Sequence, residues 1–368
     1  METRDDDSLD NGEFRHLVRC KFLTPDLITQ ILNEATLMAR VLNFRNDPGI
    51  VDYRLALRQE FMDQGITMAS LFYEESLRTR WSHERAAHAL GAEVISTENA
   101  AKFSSAAKGE SLEHAIQVIS GFRCPSERYA DIVVMRHPIE GSAKRAMKFC
   151  GVPLINAGDG IGEHPTQALL DIFAIQRRLG RIRDFKIGMF GDLLNSRVIH
   201  SDVYLVSKFP GVHIYLVSDP RFAIKPDLRQ YLVKHNIWFT ECTRPEGFPE
   251  VFTKVDVAVM TRVQKNRFNM DDPAEAALFR SIRGQQIVNR ELADDMKPGA
   301  FILHPMPIET DSADGFPPEI MTEVDNHPNS FFFQQAGGGI PSRMAVIKIL
   351  LENWGLIKRI APPEKITA

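Results

Sequence analysis

Several short stretches of this chain set hydroxyl, imidazole or guanidinium groups directly after runs of apolar residues. Ser76-Leu77-Arg78-Thr79-Arg80 follows the run 66–73, and Arg136-His137-Pro138 closes Asp131-Ile132-Val133-Val134-Met135. His164-Pro165-Thr166-Gln167 opens a helical pattern, and Arg197 follows Met189-Phe190-Gly191-Asp192. Arg262-Val263-Gln264 follows the run 255–260, and His304-Pro305-Met306-Pro307 follows Phe301-Ile302-Leu303. In an open parallel sheet, ligands bind beyond the carboxyl ends of the strands. Cations placed there repeatedly suit an anion, and more than one.

Each stretch has its own chemistry. Ser76 to Arg80 reads as a strand-to-helix turn, where free N–H groups and the positive end of the helix dipole hold anions such as phosphate. Ser76 and Thr79 add hydroxyl donors, and Arg78 adds a bidentate fork. Taken alone, the same residues also describe a capped helix with solvent-facing arginines. Arg136 ends a strand too apolar to lie on the surface, so it needs a partner, either a structural carboxylate or a bound anion. His164 sits at a helix start, which favours the neutral imidazole. Such a histidine donates a hydrogen bond to a carbonyl oxygen that gains negative charge, or is simply a satisfied core residue.

The elements that must position these groups alternate. Strand patterns fall at 66–73, 93–96, 131–136, 152–156, 186–191, 212–218, 255–261 and 300–304. A first helix begins at Thr24-Pro25 and carries Leu27, Ile31, Ala35, Met38 and Leu42 on one face. Further helical patterns lie near 77–90, 111–120, 141–149, 165–179, 196–208, 226–235 and 341–358. The alternation predicts an α/β fold of two doubly wound domains, each a parallel sheet flanked by helices, with the active site between them. The expected division is a flexible acidic tail over 1–14, a first domain over 15–164 and 339–368, and a second over 165–338. Gln335 to Pro341 reads as a hinge into a last amphipathic helix.

Composition narrows the class. With 368 residues, 44% of them apolar and 25% charged, the chain is an ordinary globular protein of two-domain size. A net charge of −4 lacks the basic excess of a nucleic-acid binder, so none is expected as a partner. No apolar run reaches the roughly 20 residues that span a bilayer, so no membrane partner is expected either. Four scattered cysteines without a Cys-x-x-Cys pair suit a cytoplasmic protein and offer no metal site.

Taken together, Phe72-Tyr73-Glu74, Ser76 to Arg80, Val134 to Pro138, Gly158-Asp159-Gly160, His164 to Asp171, Met260 to Lys265, His304 to Pro307 and Gln334 to Gly337 resemble the motifs of the transcarbamylase family. The resemblance covers about residues 15–358. It implies transfer of a carbamoyl group from carbamoyl phosphate to L-aspartate, a step of pyrimidine biosynthesis, with no cofactor and no metal. By that pattern Ser76, Leu77, Arg78, Thr79, Arg136, His164, Gln167 and Met306 bind carbamoyl phosphate. Arg78, Thr79, Arg136 and His164 are the catalytic set, and Gln167 orients the carbamoyl amine. Lys108, Arg197, Arg262 and Gln264 bind aspartate, with Lys108 given to a neighbouring subunit in a homotrimer with shared active sites. Glu74 with Arg197 and Arg267 resembles the ion pairs that hold the domains closed. Regulatory or dihydroorotase chains are further partners that such a trimer takes in some relatives.

Two arginines and a glutamine suit a dicarboxylic acceptor. The Ser-Met-Gly stretch and the cysteine of ornithine enzymes are absent, where this chain has Met260-Thr261-Arg262 and Pro305. The chain departs from the family pattern at Leu77, at Ala106-Ala107-Lys108, at Ile308, at Gly338-Gly339 and at Pro341-Ser342. The departures keep open a carbamoyltransferase for another acidic or acylated amino acid, or an inactive paralogue that scaffolds an active trimer. A nicotinamide-dependent dehydrogenase would need Gly-x-Gly-x-x-Gly after the 186–191 strand, and the stretch does not have it.

Overall fold

Local capping starts the first helices. Thr24 Oγ1 accepts from Leu27 N at 3.2 Å, and Pro25 occupies the first turn of the helix Pro25–Leu42. The same device opens a helix that apolar spacing did not reveal, Pro48–Asp63, where Asp47 accepts from Ile50 N at 3.3 Å. The computed structural model describes residues 9–10, 13–43, 47–244, 246–263, 265, 268–309 and 317–362. It divides into two compact units, Met1–Phe173 with Gly338–Ala368, and Ala174–Gly337.

In the first unit Leu9–Asp10 (β1) and Glu13–Phe14 (β2) form a small antiparallel pair. Phe14 is buried, and its carbonyl accepts from Asn353 Nδ2 at 2.8 Å. The stretch 1–14, expected as a flexible tail, thus ends in packed residues; residues 1–8 and 11–12 lie outside those described. The main sheet comprises Thr67–Phe72 (β3), Glu93–Glu98 (β4), Ile132–His137 (β5) and Leu154–Asp159 (β6). They lie in the order β4-β3-β5-β6, and every neighbour is parallel. The interior strands are buried apolar runs because helices cover both their faces. The chain leaves β3 toward β4 but leaves β5 toward β6, so strand order reverses between β3 and β5. That reversal opens a crevice at their carboxyl ends.

The helix Gly339–Asn353 packs against Pro25–Leu42 and Leu77–Leu90. The amphipathic helix expected here is instead buried on every side from Pro341 to Leu351, with Arg343 and Lys348 included. Lys348 is paired with Glu34 Oε1 at 3.2 Å and Glu352 Oε1 at 2.9 Å. The expected hinge at 335–341 is largely helical. Phe332–Gly337 forms one short helix, and Gly338 keeps a right-handed conformation before the next begins.

The second unit has Lys186–Phe190 (β7), His213–Val217 (β8), Phe239–Cys242 (β9), Val257–Met260 (β10) and Phe301–Leu303 (β11). Their order is β11-β10-β7-β8-β9, again all parallel. One face packs Phe190 against Phe248 and Phe252, with ring centroids 5.5 Å apart in both pairs. Here strand order reverses between β7 and β10. Gly191, directly after β7, has φ 110°, and a Cβ there would overlap the Thr261 carbonyl oxygen after β10. Only glycine lets the two strand ends approach so closely. Among the described residues no helix is long and apolar enough to cross a membrane.

Gly191→Ala should lower unfolding stability by about 3 kcal/mol, since strain and overlap add. Gly180→Ala, at φ 70° with nothing within 4 Å of the added Cβ, should lose only about 1–2 kcal/mol. Urea unfolding of both variants checks the difference, and equal losses would contradict the close approach.

Candidate functional site

The crevice between β3 and β5 collects the first group of candidates. Ser76 precedes the helix Leu77–Leu90 in an extended conformation, φ −166° and ψ 93°, and its side chain makes no capping bond. Instead Ser76 Oγ accepts from Arg136 Nη1 at 3.1 Å, which joins the end of β3 to the end of β5. The first N–H groups of a helix have no acceptor within it, so those of this turn point out of the helix at the crevice. Leu77 is exposed while Thr79 is buried, so Leu77 offers the turn its backbone rather than its side chain. Arg78 is exposed. Arg80 turns away, toward Glu98 at 3.2 Å and Glu84 at 3.9 Å.

Arg136 has a carboxylate partner: its Nη2 lies 3.3 Å from Glu74 Oε1. The sequence left a structural acid and a bound anion equally open for this arginine, and the acid is present. At the end of β6, the chain bends through Gly158 to Glu163 and delivers His164, which is only 4% exposed. Asp159 organises that bend, because its Oδ1 accepts from Glu163 N at 3.0 Å and Asn156 Nδ2 at 3.1 Å. The Glu163 carboxylate accepts from Cys20 N at 2.6 Å and Arg19 Nε at 2.8 Å. Burial raises the Glu163 carboxyl above its usual range, while Arg19 pulls it back. His164 Nδ1 lies 3.3 Å from Thr166 Oγ1, and Gln167 Nε2 donates to Asp171 Oδ1 at 2.9 Å. Lys108 ends the 3-10 turn Ser105–Lys108, past edge strand β4, and its exposed side chain makes no hydrogen bond or ion pair with another described residue.

The reversal in the second sheet collects the other group. Asp192, wholly buried, accepts from Asn195 N at 2.9 Å and folds the loop that leads to Arg197. Ser196 caps the helix Arg197–Val206, so Arg197 stands in its first turn, half-buried. Arg262 follows β10, and its Nη1 is 2.6 Å from Glu309 Oε1. The same carboxylate holds buried Arg283, with Nη2 to Oε2 at 3.1 Å. After β11, His304 Nδ1 accepts from Met306 N at 2.8 Å, and Nε2 therefore donates to Glu319 at 2.9 Å. Burial raises the Glu319 carboxyl, but the hydrogen bond from His304, a backbone hydrogen bond and the charge of Arg283 together leave the group lowered. This bracing holds Met306 at φ 56°, a conformation that costs a non-glycine residue roughly 1 kcal/mol or more.

Ser76, Leu77, Arg78, Thr79, Arg136, His164 and Gln167 thus belong to the first unit. Arg197, Arg262 and Met306 belong to the second, and Lys108 stands with the first. Gln264 and Arg267 lie outside the described residues. Sequence reasoning missed Glu309, Asp171, His83 and Arg343. A carboxylate five residues after His304, and a cation inside an apolar helical run, were the available signals.

The family model for the carbamoyl-P binding domain of aspartate/ornithine carbamoyltransferase matches residues 15–177. The model for the Asp/Orn binding domain matches residues 183–350. The chain belongs to the aspartate/ornithine carbamoyltransferase family. A similar member is the aspartate carbamoyltransferase catalytic subunit of Methanocaldococcus jannaschii, 40% identical over 339 residues, covering 92% of this chain and 98% of that one. Chloroplastic aspartate carbamoyltransferase 1 of Pisum sativum is 42% identical over 293 residues, covering 80% and 70%. Among solved carbamoyltransferases, the M. jannaschii catalytic subunit aligns with a TM-score of 0.74 at 39% identity, covering 92% and 98%. The Trypanosoma cruzi enzyme in complex with carbamoyl phosphate and aspartate aligns with a TM-score of 0.75 at 27% identity, covering 90% and 95%.

Beneath the first crevice lies a titratable support. His83 is fully buried, and its Nδ1 donates to the Thr79 carbonyl at 2.7 Å, since a carbonyl only accepts. Burial, and then the charge of Arg343, hold its imidazole well below the ordinary 6.5. The folded protein keeps His83 neutral, whereas the unfolded chain takes up a proton below about 6.5. Stability should therefore fall as pH drops from 7 to 5, with a slope from this one proton approaching about 1.4 kcal/mol per pH unit. Urea unfolding across that range should show the slope in the wild type and a loss of about one proton's worth in His83→Gln. An unchanged slope would mean His83 titrates normally in the fold.

Proposed function

We propose that this chain transfers the carbamoyl group of carbamoyl phosphate to the amino group of L-aspartate, giving N-carbamoyl-L-aspartate and phosphate for pyrimidine synthesis. One observation carries the reading. Each sheet reverses strand order once, and each reversal holds a different anion receptor: hydroxyls, arginines and a helix start in one, two arginines in the other. The relatives named above as aspartate carbamoyltransferases support the assignment, and the T. cruzi complex holds both substrates.

The phosphate is held by Ser76, Arg78, Thr79 and the N–H groups that open the helix. Arg136 moves from Glu74 toward the phosphate and the carbonyl oxygen. Thr79, Arg136 and His164 then face the oxygen as it gains charge, which is electrostatic stabilisation of the transition state. Gln167 orients the carbamoyl amine. Arg197, Arg262 and Gln264 take the two carboxylates of aspartate, and the incoming carboxylate displaces Glu309 from Arg262. The aspartate amine attacks the carbonyl carbon, a tetrahedral intermediate forms, and the C–O bond to phosphate breaks. The departing phosphate carries away the amine's proton. No side chain becomes covalently attached; positioning and charge do the work.

Lys108 completes the site of a neighbouring copy in a homotrimer. Its exposure supports this role, as do exposed Ile95 on edge strand β4 and exposed Phe103 beside it. The protein works in the cytoplasm, a reading supported by its four free cysteines, although the plant relatives are chloroplastic.

Ureido product should form from carbamoyl phosphate with L-aspartate, and not with L-ornithine or N-acetyl-L-ornithine, in a side-by-side assay. Turnover only with another amine would overturn the acceptor. Arg78→Ala should weaken carbamoyl phosphate binding by about tenfold to a hundredfold, because bonds to charged groups contribute roughly 1.5–3 kcal/mol. Arg262→Ala should raise the aspartate KM by a similar factor with carbamoyl phosphate affinity unchanged. Equal damage to both substrates in either variant would contradict the division of roles.

A further inference from the structure

A carboxamide can be held either way round, and the two ways recognise different ligands. The –NH2 of a carbamoyl group donates, so it requires the oxygen of Gln167 rather than its nitrogen. What fixes the choice lies one turn along the same helix, Pro165–Leu179. Gln167 Nε2 donates to Asp171 Oδ1 at 2.9 Å, and the two side chains are buried, 8% and 2% exposed. A carboxylate only accepts, so the amide nitrogen must face Asp171 and the amide oxygen must face away.

A carboxylate buried this deeply stays ionised only beside a compensating charge. Arg343, on the buried helix Gly339–Asn353, contributes such a charge. A Cβ on Gly339 would overlap Arg343 Nη1 and would lie 3.5 Å from Leu170 Cδ2. The guanidinium is therefore folded back beside Gly339, in the neighbourhood of the Leu170 side chain. Burial pushes Arg343 down to about 10, with the Asp171 charge offsetting part of the loss. It remains a cation at neutral pH.

We propose that Asp171 is a specificity-determining positioning residue that locks the Gln167 carboxamide oxygen toward the ligand and so selects a carbamoyl –NH2 over an isosteric –CH3. The inference rests on the first unit being a carbamoyl phosphate site. Gln167 touches the ligand, and Asp171 and Arg343 act through it. An asparagine at 171 both donates and accepts, so it would hold the Gln167 amide either way round.

The test uses the full chain and calorimetric dissociation constants for carbamoyl phosphate, acetyl phosphate and inorganic phosphate. The wild type should prefer carbamoyl over acetyl phosphate. Asp171→Asn should cut that preference by about tenfold, the weight of one oriented hydrogen bond, and leave inorganic phosphate affinity as it was. Gln167→Met should cut it equally, and the double variant no further. An unchanged preference in Asp171→Asn overturns the proposal, as does equal weakening toward all three ligands, which marks a purely structural residue. Should Asp171→Asn fail to fold, Gln167→Met decides: a retained preference overturns the proposal and a lost one supports it. A wild type that binds inorganic phosphate but not carbamoyl phosphate removes the functional reading and this inference with it. A wild type that binds and transfers, with the preference intact in Asp171→Asn, removes the inference alone.

Discussion

Backbone direction is the constraint on which the rest depends. Parallel strands bring all their carboxyl ends to one edge, and an edge where strand order reverses leaves a gap that no crossover helix covers. Both sheets have one such point, between β3 and β5 and between β7 and β10. Every described candidate that follows β3, β5, β7 or β10 in the chain is thereby delivered to a crevice without long-range design. The price is close approach, visible where Gly191 meets the Thr261 carbonyl.

Partly buried charge is the second constraint. Arg136 is shared between Ser76 and Glu74, Arg262 and Arg283 share Glu309, and His304 is braced by Glu319. Buried ion pairs are weak contributors to stability, because desolvation offsets their attraction. Their value here is orientation. Donors already aimed would need little reorganisation if, as proposed, a ligand carboxylate or phosphate replaces the internal acid.

Much of the fold was legible because interior parallel strands are short, continuous apolar runs with helical patterns between them. The strand Phe239–Cys242 escaped notice since it is a half-exposed edge with no such run. Pro48–Asp63 escaped because its apolar spacing is weak, although Asp47-Pro48 is a good start signal. The residues proposed to touch substrate were legible as residue types in odd places: an arginine closing a buried strand, a histidine opening a helix. Their supports were not. Arg343 sits within an apolar stretch that reads as one face of an amphipathic helix, and only packing on all sides shows that its charge is buried. Glu309 gains meaning only from Arg262, 47 positions away in the chain, and from buried Arg283.

The most direct test of the central claim is calorimetric titration with N-(phosphonacetyl)-L-aspartate, the ligand of one T. cruzi relative complex. It carries in one molecule a phosphonate for the first receptor and two carboxylates for the second. Binding should be orders of magnitude tighter than that of inorganic phosphate or succinate, with Arg78→Ala and Arg262→Ala each forfeiting most of the gain. Binding no tighter than phosphate alone would contradict it.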